Sequence, residues 1–236
     1  MEPYANSSAY STPAAVAERA TAFLRKVYGW MCVGLAITAF VAFQVAGSPS
    51  LVRHLVANHL LYLGLVIGEL ALVFFLSARA AKLAPGTAAG LFVVFSALNG
   101  VTISFVLLVY TRASVASTFL VTAAMFGALA LYGSTTKRSL AGVGQFFFMG
   151  LIGLILASVV GMFWQSNALQ FVISVVGVIV FTGLTAWDAQ RLKEMALALP
   201  EGQAGSYAIV GALSLYLDFI NLFLFLLRFM GGRRED

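Results

Sequence analysis

The sequence predicts an all-α membrane protein, a bundle of seven transmembrane helices, and three observations carry that prediction. Hydrophobic residues make up 61% of the chain and charged residues only 10%, with a mean hydropathy of +0.96. That is more apolar surface than a water-soluble core could enclose, so lipid is the solvent for most of the chain. The apolar residues fall into seven long stretches, each near the roughly 20 residues that a helix needs to cross a hydrocarbon core about 30 Å thick. Polar and charged residues are confined to short intervals between those stretches, and no soluble domain fits anywhere.

Residues 1–26 are polar, rich in Ala and Ser, and end in Arg25-Lys26. They read as a disordered cytoplasmic segment, too long and too mixed for the basic leader of a signal peptide. No small-x-small cleavage site follows Ala46, so the first span, about Val27 to Ala46, reads as an uncleaved anchor with Tyr28 and Trp30 at headgroup depth. Pro49 opens a loop, and residues 51–59 are too short and polar to span, so they lie at the surface before a second span at about Leu60 to Ala78. Arg79, Lys82 and Pro85 separate it from a third span at about Gly86 to Val109, and Arg112 precedes a fourth at about Ser114 to Tyr132. The loop GSTTKRSLAGVGQ leads to a fifth, about Phe146 to Trp164, and a sixth runs from about Gln170 to Trp187. A polar stretch from Asp188 to Ser206 precedes the last span, about Tyr207 to Met230. The transmembrane domain is therefore 27–230, followed by a short charged tail, 231–236. The pairs Gly34/Thr38, Gly86/Gly90 and Gly150/Gly153 are small residues at near-helical spacing, suited to close helix approach.

The net charge of +5 is spread singly and in pairs between the spans, with no basic block, so nucleic acid is not an expected partner. Assigning alternate loops to the two sides places nine Lys and Arg with the amino terminus and five opposite. The excess puts the amino terminus in the cytoplasm. Arg228, Arg233 and Arg234 pull the other way, which leaves two readings of the last span: a full crossing, preferred, or a re-entrant return. The single cysteine, Cys32, lies in an apolar stretch and excludes a disulfide framework or a thiolate metal site. His54 and His59 sit in a surface loop without a carboxylate beside them, which argues against a metal site there.

Ionisable residues inside the spans are what remains to explain, since each costs roughly 2.5–3.5 kcal/mol at a helix centre unless a partner, a proton or water offsets it. Asp218 lies about 16 Å into the last span, with Ser214 and Asn221 at i−4 and i+3 on its face. A proton-binding group and a neutral acid serving as interhelical glue are both open for it. Asp188 ends the sixth span in GLTAWDAQRLK, with Thr185 one turn before it, and could equally be a solvated helix end paired with Arg191 or Lys193. Glu69 lies in the middle of the second span, either neutral or functional, and Arg79 ends that span, either functional or snorkelling to headgroups. Ser96, Asn99 and Thr102 on the third span, and Thr118 and Thr122 on the fourth, suit interhelical hydrogen bonds. Two aspartates on consecutive helices could share a proton in low dielectric and so respond to pH. If Arg79 reached them, loss of that proton would tighten an ionic latch and its return would loosen it.

At these residues the chain resembles the Bax inhibitor-1 family, also called the transmembrane Bax-inhibitor-motif family. The resemblance rests on GLTAWDAQRLK at 183–193 and LSLYLDFINLFLFLLRF at 213–229, each with its aspartate in place. FSALNGVTIS at 95–104 and GSTTKRSL at 133–140 are similar too, so it covers about residues 25–230. Trp187 stands where the family usually has tyrosine. The resemblance implies a seven-helix bundle with the last helix central, and a calcium leak that responds to pH. It implies a proton-sensing pair at Asp188 and Asp218, where calcium would bind transiently, and a latch at Arg79. It places Glu69 on the ion path, which Asn99, Ser214 and Asn221 would extend.

A pH-sensitive calcium leak channel is thus the leading expectation, with calcium and protons as its ions, no cofactor and no catalytic residues. The alternative is a membrane-embedded regulator that binds a membrane protease or a cell-death partner. An intramembrane aspartyl protease would also use two helical aspartates, but the chain reads AWD and YLD in place of the YD and GxGD patterns of that class. The expected location is a bacterial inner membrane.

Overall fold

A computed structural model describes residues 13–80, 82–164, 166–199 and 204–234. Those residues form α1 (Pro13–Ala46), α2 (Pro49–Ala57), α3 (His59–Arg79), α4 (Pro85–Val109), α5 (Arg112–Thr135), α6 (Ala141–Phe163), α7 (Asn167–Ala198) and α8 (Ala204–Met230). All but α2 are long and apolar enough to cross a membrane, which makes the chain a multi-pass membrane protein with the seven expected spans. Local chemistry sets the starts. Pro49 and Pro85 open α2 and α4, where a missing N–H costs nothing. Asn58, Thr111 and Ser166 cap α3, α5 and α7 by accepting from the backbone N–H groups of Leu61, Ser114 and Leu169.

Helix α8 is the axis. It packs against α1, α4, α5 and α7 and, more lightly, α3. In its apolar window 67% of the residues are buried, against 6% for α3 and 11% for α6, so the latter two are the most lipid-facing spans. The last helix is therefore central, though α6 reaches the bundle chiefly through α7 and α3 chiefly through α4. Phe92, Phe95, Leu213, Leu215, Tyr216 and Leu227 form the middle of the packing. Phe40, Phe74, Phe146 and Leu120 point outward, as lipid-facing side chains should.

Several boundaries differ from the sequence reading, among them the start of α6, at Ala141 where the span was expected from about Phe146. Helix α1 begins at Pro13, so the disorder expected over 1–26 is corrected for 13–26, and residues 1–12 lie outside the described part. Ala20, Phe23 and Val27 are buried in one stripe, and that burial holds the early turns. Helix α7 continues to Ala198 where a polar loop was expected from Asp188. Ala189, Leu192 and Ala196 bury one face of this extension, while Gln190 fastens it to the α5–α6 connection and Lys193 to the last turn of α5. Pro49, expected to open a loop, opens helix α2, which is too short to span, and His59 already begins α3.

Of the small-residue pairs, Gly34 and Thr38 sit at the α1–α4 contact, where a Cβ on Gly34 would lie 3.0 Å from Ser96 Oγ. Gly86 and Gly90 have nothing within 4 Å and make no close approach, which corrects that expectation. Helix α8 is continuous over 27 residues, roughly 40 Å at about 1.5 Å per residue, long enough for a full crossing and without the break of a re-entrant return. The tail beyond it pairs with the α4–α5 turn through Thr111 N–H to Gly232 O and Arg234 N–H to Val109 O, at the face opposite the start of α1.

Candidate functional site

Among the described residues, two polar centres are attached to α8. The first is the aspartate pair. Asp218, in the fourth turn of α8, is 6% exposed, and its Oδ2 is buried without a hydrogen-bond partner among the described residues. Asp188 lies on the neighbouring helix α7, half-buried, near enough that the two carboxyls repel one another when both are charged. The chain is brought to this arrangement by small residues: a Cβ on Gly211 would lie 2.6 Å from Leu192 Cδ2, and one on Gly177 would lie 2.6 Å from Phe225, so α7 and α8 run close on either side of the pair.

The cations fall elsewhere. Arg191 is the positive charge whose field reaches Asp188, and its guanidinium lies 5.6 Å above the Trp187 ring. Lys193 donates to Ser134 O at 2.6 Å. Arg79 is exposed at the end of α3, with its guanidinium 5.6 Å from the Phe75 ring of its own helix, and the structure does not bring it to either aspartate. Thr185 is buried but donates to Phe181 O on its own helix rather than to Asp188. Ser214 is half-buried. Asn221 donates to Leu217 O and lines a cavity of about 450 Å³ with Ser158, Gln170 and Arg228, on the side of the pair toward the α8 carboxy terminus.

The second centre is built around Glu69, which is 9% exposed in the middle of α3. Thr102 of α4 donates to its Oε1, and Asn99 Nδ2 donates to its Oε2 at 3.0 Å. Asn99 Oδ1 accepts from the Tyr216 hydroxyl of α8 at 2.8 Å. Tyr216 in turn lies 2.6 Å from Thr38 Oγ1 of α1, which donates to Ser96 O at 2.8 Å. One polar chain thus crosses four helices. It is possible because α1 and α4 nearly touch: a Cβ on Gly100 would lie 2.8 Å from Thr38 O.

Of the residues singled out from sequence, the structure sets Asp188 and Asp218 on two helices in contact, and hydrogen-bonds Glu69 to Asn99 and Thr102. It separates Arg79 from the pair and places Asn221 at a different cavity. Thr118 and Thr122 are buried, and Thr122 bonds Thr118 O within α5. Sequence reasoning missed Tyr216 and the polar use of Thr38. A tyrosine hydroxyl in mid-span was the available signal, since a buried phenol normally finds a partner.

Comparison with known proteins agrees with the architecture. The sequence profile of the family described as "Inhibitor of apoptosis-promoting Bax1" matches residues 20–235. Inner membrane protein YbhL of Escherichia coli is 52% identical over 215 residues, 90% of this chain and 92% of that protein. A protein of Borreliella burgdorferi is 41% identical over 216 residues, 91% of this chain and 93% of the relative. One of Deinococcus radiodurans is 43% identical over 214 residues, 90% of this chain and 91% of the relative. With the profile and relatives of this identity spanning nine-tenths of its length, the chain belongs to the Bax inhibitor-1 family.

Proposed function

We propose that this protein is a pH-responsive calcium leak channel of a bacterial inner membrane, with Asp188 and Asp218 as its proton-sensing and transient calcium-binding pair. The observation that carries this reading is the buried, unpartnered Oδ2 of Asp218 on the central helix, facing a second acid. An unpaired polar atom in lipid surroundings is costly, and a second carboxyl nearby adds repulsion whenever both are charged. A proton or a divalent cation relieves both costs, so the occupancy of the pair by one or the other depends on pH. The cavity lined by Asn221, Gln170, Ser158 and Arg228 supplies a polar approach to the centre of α8 from one side. Glu69 and Asn99 line the α3–α4–α8 side, and Ser214 continues the polar stripe below Asp218.

Arg79 enters as the latch of a second arrangement. It is disengaged in the arrangement described, held over Phe75. Approach to the pair would require α3, the least buried span, to move against α8. The amino terminus faces the cytoplasm in this reading, from the distribution of Lys and Arg.

Calcium flux into proteoliposomes of the purified protein, followed with a trapped indicator at acidic and neutral pH, tests the proposal. Wild type should pass calcium at a rate that changes with pH, and Asp188→Asn and Asp218→Asn should flatten that dependence. An unchanged pH profile in Asp218→Asn would refute the pair as the sensor. Absence of flux with a stoichiometric co-purifying membrane protease would favour the regulatory reading instead.

A further inference from the structure

The chain from Glu69 to Ser96 has a hydrogen count that does not close as it stands. Three oxygen contacts lie beyond Asn99: Tyr216 to Asn99 Oδ1, Tyr216 to Thr38, and Thr38 to Ser96 O. Two hydroxyl groups supply them, each with a single hydrogen. With Asn99 Nδ2 given to a charged Glu69, the Tyr216 hydrogen must go to Asn99 Oδ1, and Thr38 must then choose between Tyr216 and Ser96 O. One contact of hydrogen-bond length is left with lone pairs on both sides.

Adding one proton closes the count. If Glu69 carries a hydrogen on Oε2 and the Asn99 amide turns by half a revolution, Glu69 donates to Asn99 O and Asn99 N–H donates to Tyr216. Tyr216 then donates to Thr38, and Thr38 to Ser96 O, while Thr102 still donates to the other Glu69 oxygen. The oxygen and nitrogen ends of a carboxamide occupy nearly the same volume, so the turn needs no repacking. Every contact then holds one hydrogen, and every donor beyond Glu69 points away from it.

We propose that Glu69 is a second proton-binding site, and that the turn of the Asn99 amide carries its protonation state through Tyr216 to α8 and through Thr38 to α1. It is a separate input from the aspartate pair and requires no ion flux. The surroundings keep the site simple. Helix α4 has no ionisable side chain, and α8 presents Tyr216 to it through Asn99. Asp218 lies two residues further along α8, about 200° around the helix. On α2, Arg53 and His54 are exposed; on α3, His59 and Arg79 are exposed at the two ends, and Tyr62 stands edge-on to Phe105. Because α3 is the span with least buried surface, this chain is its main polar attachment to the bundle, so the proton state of Glu69 bears on how firmly α3 is held.

Infrared difference spectra of the full-length protein in nanodiscs, acidic minus alkaline, test the proposal. They are taken with Asp188→Asn and Asp218→Asn present so that the pair does not contribute. Subtracting the same difference spectrum of Glu69→Gln removes the bands of the other carboxyls, and a protonated-carboxyl band should remain in this double difference and shift when glutamate is isotopically labelled. It should also change frequency in Tyr216→Phe and in Thr38→Val, neither of which touches Glu69. A double difference without such a band overturns the proposal; should Glu69→Gln not fold, carboxyl bands of the parent that are all unmoved by Tyr216→Phe and by Thr38→Val overturn it. A band that Glu69→Gln removes but that Tyr216→Phe and Thr38→Val both leave in place also overturns it, because the proton would then not be relayed.

Discussion

Replacing Tyr216 with phenylalanine isolates one hydroxyl at the centre of the bundle. The ring stays wedged between Phe92 and Phe95, whose centroids lie 5.8 and 5.6 Å away, so no cavity opens and packing is unchanged. Thr38 keeps its bond to Ser96 O and is not orphaned. Asn99 Oδ1 loses its donor, and one buried acceptor without a partner costs about 1–3 kcal/mol. Hydrogen bonds between membrane helices average about 0.6 kcal/mol, with a maximum near 1.7, because the unfolded chain in lipid also finds partners. Together these place Tyr216→Phe at about 1–1.5 kcal/mol of destabilisation. Thr38→Val should cost less, about 0.5 kcal/mol, since Tyr216 keeps Asn99 and Ser96 O keeps its helical bond. Equilibrium unfolding of both variants and the double variant in mixed micelles gives the cycle, with a coupling of at least about 0.5 kcal/mol expected for groups in one network. A Tyr216→Phe loss within about 0.3 kcal/mol of zero, or additive effects, would refute the four-helix chain.

Further outcomes follow from other contacts. Gly100→Val places its Cβ against Thr38 O and Val41, and forcing α1 from α4 should cost about 1–3 kcal/mol in the same assay. Gly90→Ala, in open space on the same helix, should be neutral or stabilise by up to about 1 kcal/mol. Gln190→Ala removes both bonds that hold Arg138 O and the Leu140 N–H, so trypsin should cut after the exposed Lys137 or Arg138 several-fold faster than in wild type, with no new cut elsewhere. Alkaline phosphatase fused after Arg234 should be active in cells, and fused within the α7–α8 connection inactive, if the amino terminus is cytoplasmic as proposed.

The spans were legible because a bilayer imposes a length, and because Pro and cap residues mark where helices start. The extension of α7 was not, because Asp188 to Ala198 is polar enough to read as a loop; its helicity depends on a narrow stripe of Ala189, Leu192 and Ala196 finding a surface. The acids were legible one by one, since lipid makes each conspicuous. Their partners were not. Asp218 finds Asp188 only because Gly211 and Gly177 let α7 lie against α8, and Glu69 is tied to Thr38 through residues from two further helices. Arg79 shows the converse: its position in sequence suggests an electrostatic partner, while its side chain rests on an aromatic ring one turn away.

The placement of both centres on α8 ties them together mechanically. Tyr216 and Asp218 are two residues apart, about 200° around the helix, so they face opposite sides of the bundle. Tyr216 looks toward α1 and α4, while Asp218 looks toward α7. A rotation of α8 that gave Asp218 a new partner would carry the Tyr216 hydroxyl out of its contacts with Thr38 and Asn99. A slide along the helix axis would do the same within about 1 Å, given that hydrogen bonds weaken steeply beyond normal length. Any change at the aspartate pair that moves α8 is therefore opposed by the Tyr216 chain, whereas a change confined to α7 is not. Since α7 is held just beyond Asp188 by Gln190 to the α5–α6 connection and by Lys193 to the last turn of α5, displacing it draws on those bonds instead. Gln190→Ala should then alter the response of the pair to pH while Tyr216→Phe leaves it in place if α7 is the moving element, and the reverse if α8 is.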